Sequence, residues 1–275
     1  MPESRSMMKE RQSNKVMLLP VTLAALIVGV SLVGIFSPDF YATETLNWKV
    51  QSIGQDIVDL VLIAPTLLAA TLISIKRRKT GVSLLGGVLI YIIYTFVIYC
   101  FDVHFNTLFV FYCAILGLAF FLFLYFIYNQ LQDQHIIKIE NAGVRKFIGI
   151  YFIVIAVMFY FLWLSELIPA ILSNSTPAVL VEAGLPTNPV HVIDLSIFLP
   201  GIFITGILLM KNHKLGLILT PVMLSFFILM NITIGVLSFM MEQQGFNGSL
   251  ALTMVMGILA LLSLVLLTWY MKIYP

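Results

Sequence analysis

Eight runs of mostly apolar residues divide this sequence, at roughly 16–36, 54–75, 80–101, 107–128, 147–169, 190–210, 215–240 and 249–271. A hydrocarbon layer about 30 Å thick takes about 20 residues of helix to cross. Inside it, every backbone N–H and C=O must be satisfied within its own segment or by a closed barrel. The runs are too long for barrel strands and show no regular alternation. They therefore predict an all-α integral membrane protein with eight transmembrane helices. With 60% hydrophobic and only 10% charged residues, little polar chain remains between the runs, and a soluble catalytic domain has no room.

The basic residues orient the bundle. Arg5, Lys9, Arg11 and Lys15 precede the first run, Lys76, Arg77, Arg78 and Lys79 fill the turn after the second, and Lys138, Arg145 and Lys146 lie between the fourth and fifth. Lys211 and Lys214 lie between the sixth and seventh, Lys272 follows the eighth, and of the 15 Lys and Arg residues only Lys49 falls on the other side. The positive-inside rule makes the basic side cytoplasmic, with both termini there. The expected location is a cell inner (cytoplasmic) membrane, the lipid bilayer is the expected partner, and the net charge of +2 asks for no nucleic acid. The first run, followed by Ser37-Pro38-Asp39 rather than a small-residue cleavage site, reads as a span and not a signal peptide.

The chain also repeats itself. Asp59, Pro65, Lys76, Lys79 and Gly81 recur as Asp194, Pro200, Lys211, Lys214 and Gly216, every pair 135 positions apart without a gap. Charged residues are scarce here, so these matches carry weight that Leu60/Leu195 and Leu84/Leu219 do not. Four spans per unit is an even number, so the expected architecture is two parallel four-helix repeats, 1–135 and 136–275. They would be related by a pseudo-twofold axis along the membrane normal and joined through the polar linker 129–146. Pro65 and Pro200 predict paired kinks.

The candidate cation or proton site is Asp56 and Asp59 on the second span, His191 and Asp194 on the sixth, and Glu166 near the outer end of the fifth. Asp56/Asp59 and His191/Asp194 are each spaced i,i+3 on one helix face. If the pseudo-axis brings the second and sixth spans together, these groups converge below the outer surface, with Asp102, His104 and Asn106 as a roof. Ionisable groups at membrane depth are costly and usually face protein or a watery cavity. The structural alternative is that Asp56, Asp59, His191 and Asp194 sit in first turns, where carboxylates gain about 0.3–1 kcal/mol from the helix dipole and act as caps. His191, Asp194, Asp59, Glu166 and His104 also offer N and O ligands for a divalent metal, the one cofactor the sequence allows. No H-E-x-x-H, P-loop, G-x-S-x-G or dinucleotide fingerprint occurs.

Tyr91, Tyr94, Thr95 and Tyr99 form a helical stripe on the third span. It reads as interhelical packing with bonded hydroxyls, or as a polar lining that continues towards Asn231 on the seventh. Cys100 and Cys113 are expected at different depths and therefore unbridged. Three function classes stay open: binding or translocation of a small cation or proton through an outward-facing site, a membrane-embedded metal-dependent enzyme acting on a lipid or periplasmic substrate, and a non-catalytic scaffold or sensor.

The stretches Leu164-Ser165-Glu166-Leu167-Ile168-Pro169 and Gly184-Leu185-Pro186-Thr187-Asn188-Pro189-Val190-His191-Val192-Ile193-Asp194-Leu195 resemble prokaryotic multi-pass membrane proteins of unassigned function. The resemblance implies a bacterial or archaeal membrane and no reaction.

Overall fold

A computed structural model describes residues 2–76, 79–133, 139–246 and 249–274, with side chains from position 17 onward. Arg77, Arg78, His135 and Lys138, and the side chains of Arg5, Lys9, Arg11 and Lys15, lie outside the described residues. Eight helices are long and apolar enough to cross a membrane: Met17–Phe36, Leu46–Ile75, Lys79–Phe101, Phe109–Gln132, Ala142–Leu172, Pro189–Met210, Lys214–Gln243 and Leu250–Ile273. No strand occurs among the described residues. These are the first to eighth spans below. The end carrying Lys76, Lys79, Lys211 and Lys214 is called the basic end.

Three spans are longer than the hydropathy pattern alone suggests. The second begins at Leu46 because the Thr45 side chain caps it, accepting from Trp48 N at 3.3 Å. The fifth begins after Asn141, whose side chain accepts from Val144 N at 3.1 Å. Polar first turns hid both starts. The seventh continues to Gln243. The segment between the fifth and sixth spans is not plain loop: Ala178–Ala183 forms a short helix that ends at Gly184, whose φ of 72° is left-handed.

The third and seventh spans form the centre, with 61% and 72% of their apolar windows buried against 22–39% for the other six. Their contact is nearly backbone to backbone. A Cβ on Gly87 would lie 2.4 Å from Ser225 Cβ and 2.9 Å from Val222 O, and one on Gly86 would meet the Phe126 ring at 2.7 Å. Small residues permit such close approach where lipid removes the hydrophobic drive between helices. The fifth and sixth spans do the same through Gly149 and Gly206, each of whose Cβ positions would press on the other's carbonyl oxygen, at 2.8 and 2.7 Å. The second span packs on the third and seventh, and the sixth on the seventh and, more lightly, the third. This overturns the expectation that the second and sixth spans meet. Gly86 and Gly87 on the third span admit Val222 and Ser225 of the seventh, so that pair takes the middle.

The two regions that share the 135-residue spacing also share local geometry. Asp59–Ile63 and Asp194–Phe198 are both π-helical turns, closed by Ala64 N–H donating to Asp59 O and Leu199 N–H to Asp194 O. Pro65 and Pro200 each follow at the second position of the next α-helix. The prolines remove a donor that an α-turn would need, and the wider π-turn absorbs the mismatch in place of a simple kink. At the basic end, Gly81 abuts Ile73 and Ser74 while Gly216 abuts Leu208 and Leu209, so both tight hairpins close in the same way.

Cys100 and Cys113 are free thiols that lie against one another. The depth argument that separated them is corrected: the two thiols meet across the hairpin, though they remain unbridged.

Candidate functional site

Asp56 points away from the sixth span. Both its carboxyl oxygens accept hydroxyls, from Tyr41 at 2.7 Å and from Tyr99 at 2.7 Å, and it is almost wholly buried. Gly34 lets the first span pass this carboxyl, since a Cβ there would sit 1.9 Å from Asp56 Oδ2. Asp56 thereby ties the loop at Tyr41 to the third span. Burial, with Asp56 beside it, pushes the Tyr41 hydroxyl's pKa far up, so it stays a donor.

Asp59, one turn on and buried, accepts from Gln55 Nε2 at 2.9 Å through Oδ1, while its Oδ2 has no partner among the described residues. Gln55 also donates to Tyr91 Oη at 2.8 Å, and Tyr91 Oη lies 2.7 Å from Thr233 Oγ1 on the seventh span. A continuous polar chain therefore runs from Asp59 to Thr233.

The other candidates assemble separately, between the fifth and sixth spans. Asn188 caps the sixth span, its Oδ1 accepting from Val190 N at 2.9 Å, with Pro189 at the first helical position. That places His191 in the first turn and Asp194 at the head of the π-turn. Asp194 Oδ2 accepts from Trp163 Nε1 at 2.9 Å, and the Tyr94 hydroxyl lies near this carboxylate. The Trp163 and His191 rings are 4.6 Å apart. His191 Nε2 stands 3.8 Å from Glu166 Oε2, too far for a good hydrogen bond. Both His191 Nε2 and Glu166 Oε1 are buried without a partner among the described residues. Buried polar atoms are almost always satisfied, so two neighbouring orphans mark a place where something polar fits.

They face a cavity of about 740 Å³ between the third, fifth, sixth, seventh and eighth spans. Glu166, His191, Asp194 and Asn231 form its polar lining, with Tyr94 and Trp163 beside them, and Gln55 and Thr233 bring the Asp59 chain to its wall. Towards the loops it is closed by the Ala178–Ala183 helix. Thr45 Oγ1 donates to Ala183 O at 3.1 Å, and Trp48 packs on Leu180, Ala183 and Leu185.

The expected five-group convergence thus resolves into two sets. Glu166 and His191 are neighbours, and Asp194 joins them through Trp163, whose ring lies against His191. Asp56 and Asp59 form the second set, on the Tyr41, Tyr99 and Tyr91 hydroxyls. His104 stands apart again, its Nδ1 2.9 Å from Glu44 Oε2. Among the described residues no three His, Cys, Asp or Glu side chains are grouped to hold a metal ion, so the ligand set His191, Asp194, Asp59, Glu166 and His104 is not assembled. The roof expected from Asp102, His104 and Asn106 is supplied mainly by the short helix. Tyr91, Tyr94 and Tyr99 are buried, with the Tyr91 and Tyr99 hydroxyls bonded.

Asp102 has a different role. Its Oδ2 is buried without a partner among the described residues, and burial, reinforced by the Glu44 charge, pushes its pKa up to about 7. A carboxyl raised in the folded state contributes stability below its unfolded value near 4 and loses it as pH rises through 7. The melting temperature of the protein should fall by a few degrees between pH 5 and 8. Asp102→Asn, which cannot ionise, should flatten that slope in a differential scanning measurement. An equal slope in both proteins would refute the assignment.

Several contributors carried no sequence signal. Tyr41, Gln55 and the short helix look like ordinary loop and cap residues. Trp163 alone was findable, three residues before Glu166 and so on the same helix face. No protein-family model, curated protein or solved structure matches this chain.

Proposed function

We propose that this multi-pass membrane protein binds a small cation at Glu166, His191 and Asp194 and passes it into the cavity beneath. The supporting observation is that His191 Nε2 and Glu166 Oε1, both buried and without a partner among the described residues, belong to residues lining one cavity. Asp194 is already oriented by the Trp163 Nε1 donor. Glu166 supplies the free acceptor. A proton is a second cargo that an observation supports: Asp59, with one bare oxygen, reaches the cavity wall through Gln55, Tyr91 and Thr233.

The matched π-turns and hairpins support descent from a duplicated four-span unit. The basic asymmetry supports a cytoplasmic basic end and an outward-facing site in a prokaryotic inner membrane. In a background lacking both cysteines, a cysteine at Lys214 should resist labelling from outside intact cells. Labelling there would reverse the orientation.

The binding test uses protein in lipid nanodiscs with Trp48→Phe and Trp269→Phe, so that Trp163 alone emits. Titration with methylammonium and with sodium should give a saturable change for at least one ion, unaltered by Asp39→Asn in the outer loop. The absence of any saturable response to either would refute the reading.

A further inference from the structure

The cavity is far larger than a small inorganic ion needs, and its polarity is one-sided. A water molecule occupies about 30 Å³, whereas about 740 Å³ falls within the roughly 300–1,000 Å³ of sites for organic ligands. Apart from three tyrosines, every ionisable lining residue is a carboxylate or His191, and neither Lys nor Arg is among the lining residues. The ionisable groups lie on the outer turns of the fifth and sixth spans and on the short helix. Deeper, Ile155, Ile202, Phe227, Met256 and Leu259 make most of the wall apolar, with Tyr151, Asn231 and Thr233 as polar exceptions. Water in such a space finds few partners, and apolar cavities favour apolar occupants.

The polar end is matched to a donor rather than an acceptor. Glu166 Oε1 lacks a donor and Asp194 carries a second charge nearby. Trp163 adds an aromatic ring beside His191, able to attract a cation through its face. The walls also suggest a route. The fifth and eighth spans meet near the basic end, where Tyr151 Oη and Ser263 Oγ are 2.9 Å apart and the Phe147 and Trp269 rings 5.9 Å apart. Further out, Phe159 and Leu162 on one side and Met256 and Leu252 on the other are both cavity lining. Beyond that contact the cavity therefore lies between the two helices.

Resting on the cation-binding reading above, the geometry points to an amphiphilic organic cation as the ligand: a primary or secondary amine whose ammonium sits at Glu166, His191 and Asp194, whose apolar chain fills the deep walls, and which enters from the membrane between the fifth and eighth spans.

A chain-length series tests this. The same single-emitter protein in nanodiscs is titrated with methyl-, propyl-, butyl- and hexylammonium, with empty nanodiscs subtracted for partition. Each buried methylene should tighten binding about threefold to fourfold, while hexanesulfonate, with an equal chain and opposite charge, should not bind. Leu259→Phe, which narrows the deep end without adding an emitter, should reduce the gain along the series, and Leu259→Met, of similar volume, should keep it. Saturable methylammonium or sodium binding without any gain along the series overturns the amphiphile and leaves the cation site standing. Equal binding of hexanesulfonate overturns the charge assignment. No response to any cation overturns both readings.

Discussion

Gly87→Leu should yield no folded protein. The third and seventh spans touch at this residue with Ser225 Cβ and the Val222 carbonyl inside the space a side chain would need, and the neighbours include backbone that cannot swing aside. Overpacking a core by a few methylenes typically costs about 1–3 kcal/mol, and here the two most buried helices would be forced apart along their length. A total stability of about 5–15 kcal/mol leaves little margin for that. Gly87→Ala should fold with a clearly lowered melting temperature. Gly117→Ala is the matched control: nothing lies within 4 Å of a Cβ there, so the better helix propensity of alanine, worth up to about 1 kcal/mol, should make it neutral or stabilising. Fluorescence-detected gel filtration after a heating series reads all three. Normal assembly of Gly87→Leu would mean that the central pair is not packed as described.

Asp194→Asn and Glu166→Gln should each weaken cation binding by about 10- to 100-fold, the loss expected for a hydrogen bond to a charged group, worth about 1.5–3 kcal/mol. Both should leave folding nearly intact, because each amide keeps the shape of the carboxyl and Trp163 Nε1 retains an oxygen acceptor. Asp56→Ala should behave in the opposite way. It strands the Tyr41 and Tyr99 hydroxyls, each buried unpaired group costing about 1–3 kcal/mol, and should lower the melting temperature with little direct effect on affinity at temperatures where the protein is folded. Melting curves and methylammonium titrations on the same preparations separate the two carboxylates. Equal loss of binding and stability in all three variants would erase the distinction between a site and a structural tie.

That distinction was hidden in the sequence. Asp56 and Asp59 look like His191 and Asp194, with one spacing, one depth and a shared 135-residue offset. Periodicity reports which residues share a helix face, and it does so correctly for both pairs. It cannot report which neighbour that face meets. The deciding contacts come from elsewhere: Tyr41 from a loop to Asp56, Trp163 from the fifth span to Asp194, and glycines at 86 and 87 that bring the seventh span, rather than the sixth, to the middle. The eight spans were legible because lipid demands long apolar helices whatever their packing. Cap residues that lengthen the second and fifth spans were obscured by polar first turns. The prolines at 65 and 200 announced a backbone irregularity, and the form it takes, a π-turn headed by an aspartate, depends on how the chain regains its hydrogen bonds.

The most direct measurement is an infrared difference spectrum of the protein in lipid, taken on adding methylammonium, with the carboxyl region compared across variants. Carboxylate bands should shift on binding in the native protein and in Asp59→Asn, and the shift should shrink in Glu166→Gln and again in Asp194→Asn. A spectrum without any carboxyl change, or one abolished by Asp59→Asn and untouched by Glu166→Gln, would contradict a cation site at Glu166, His191 and Asp194.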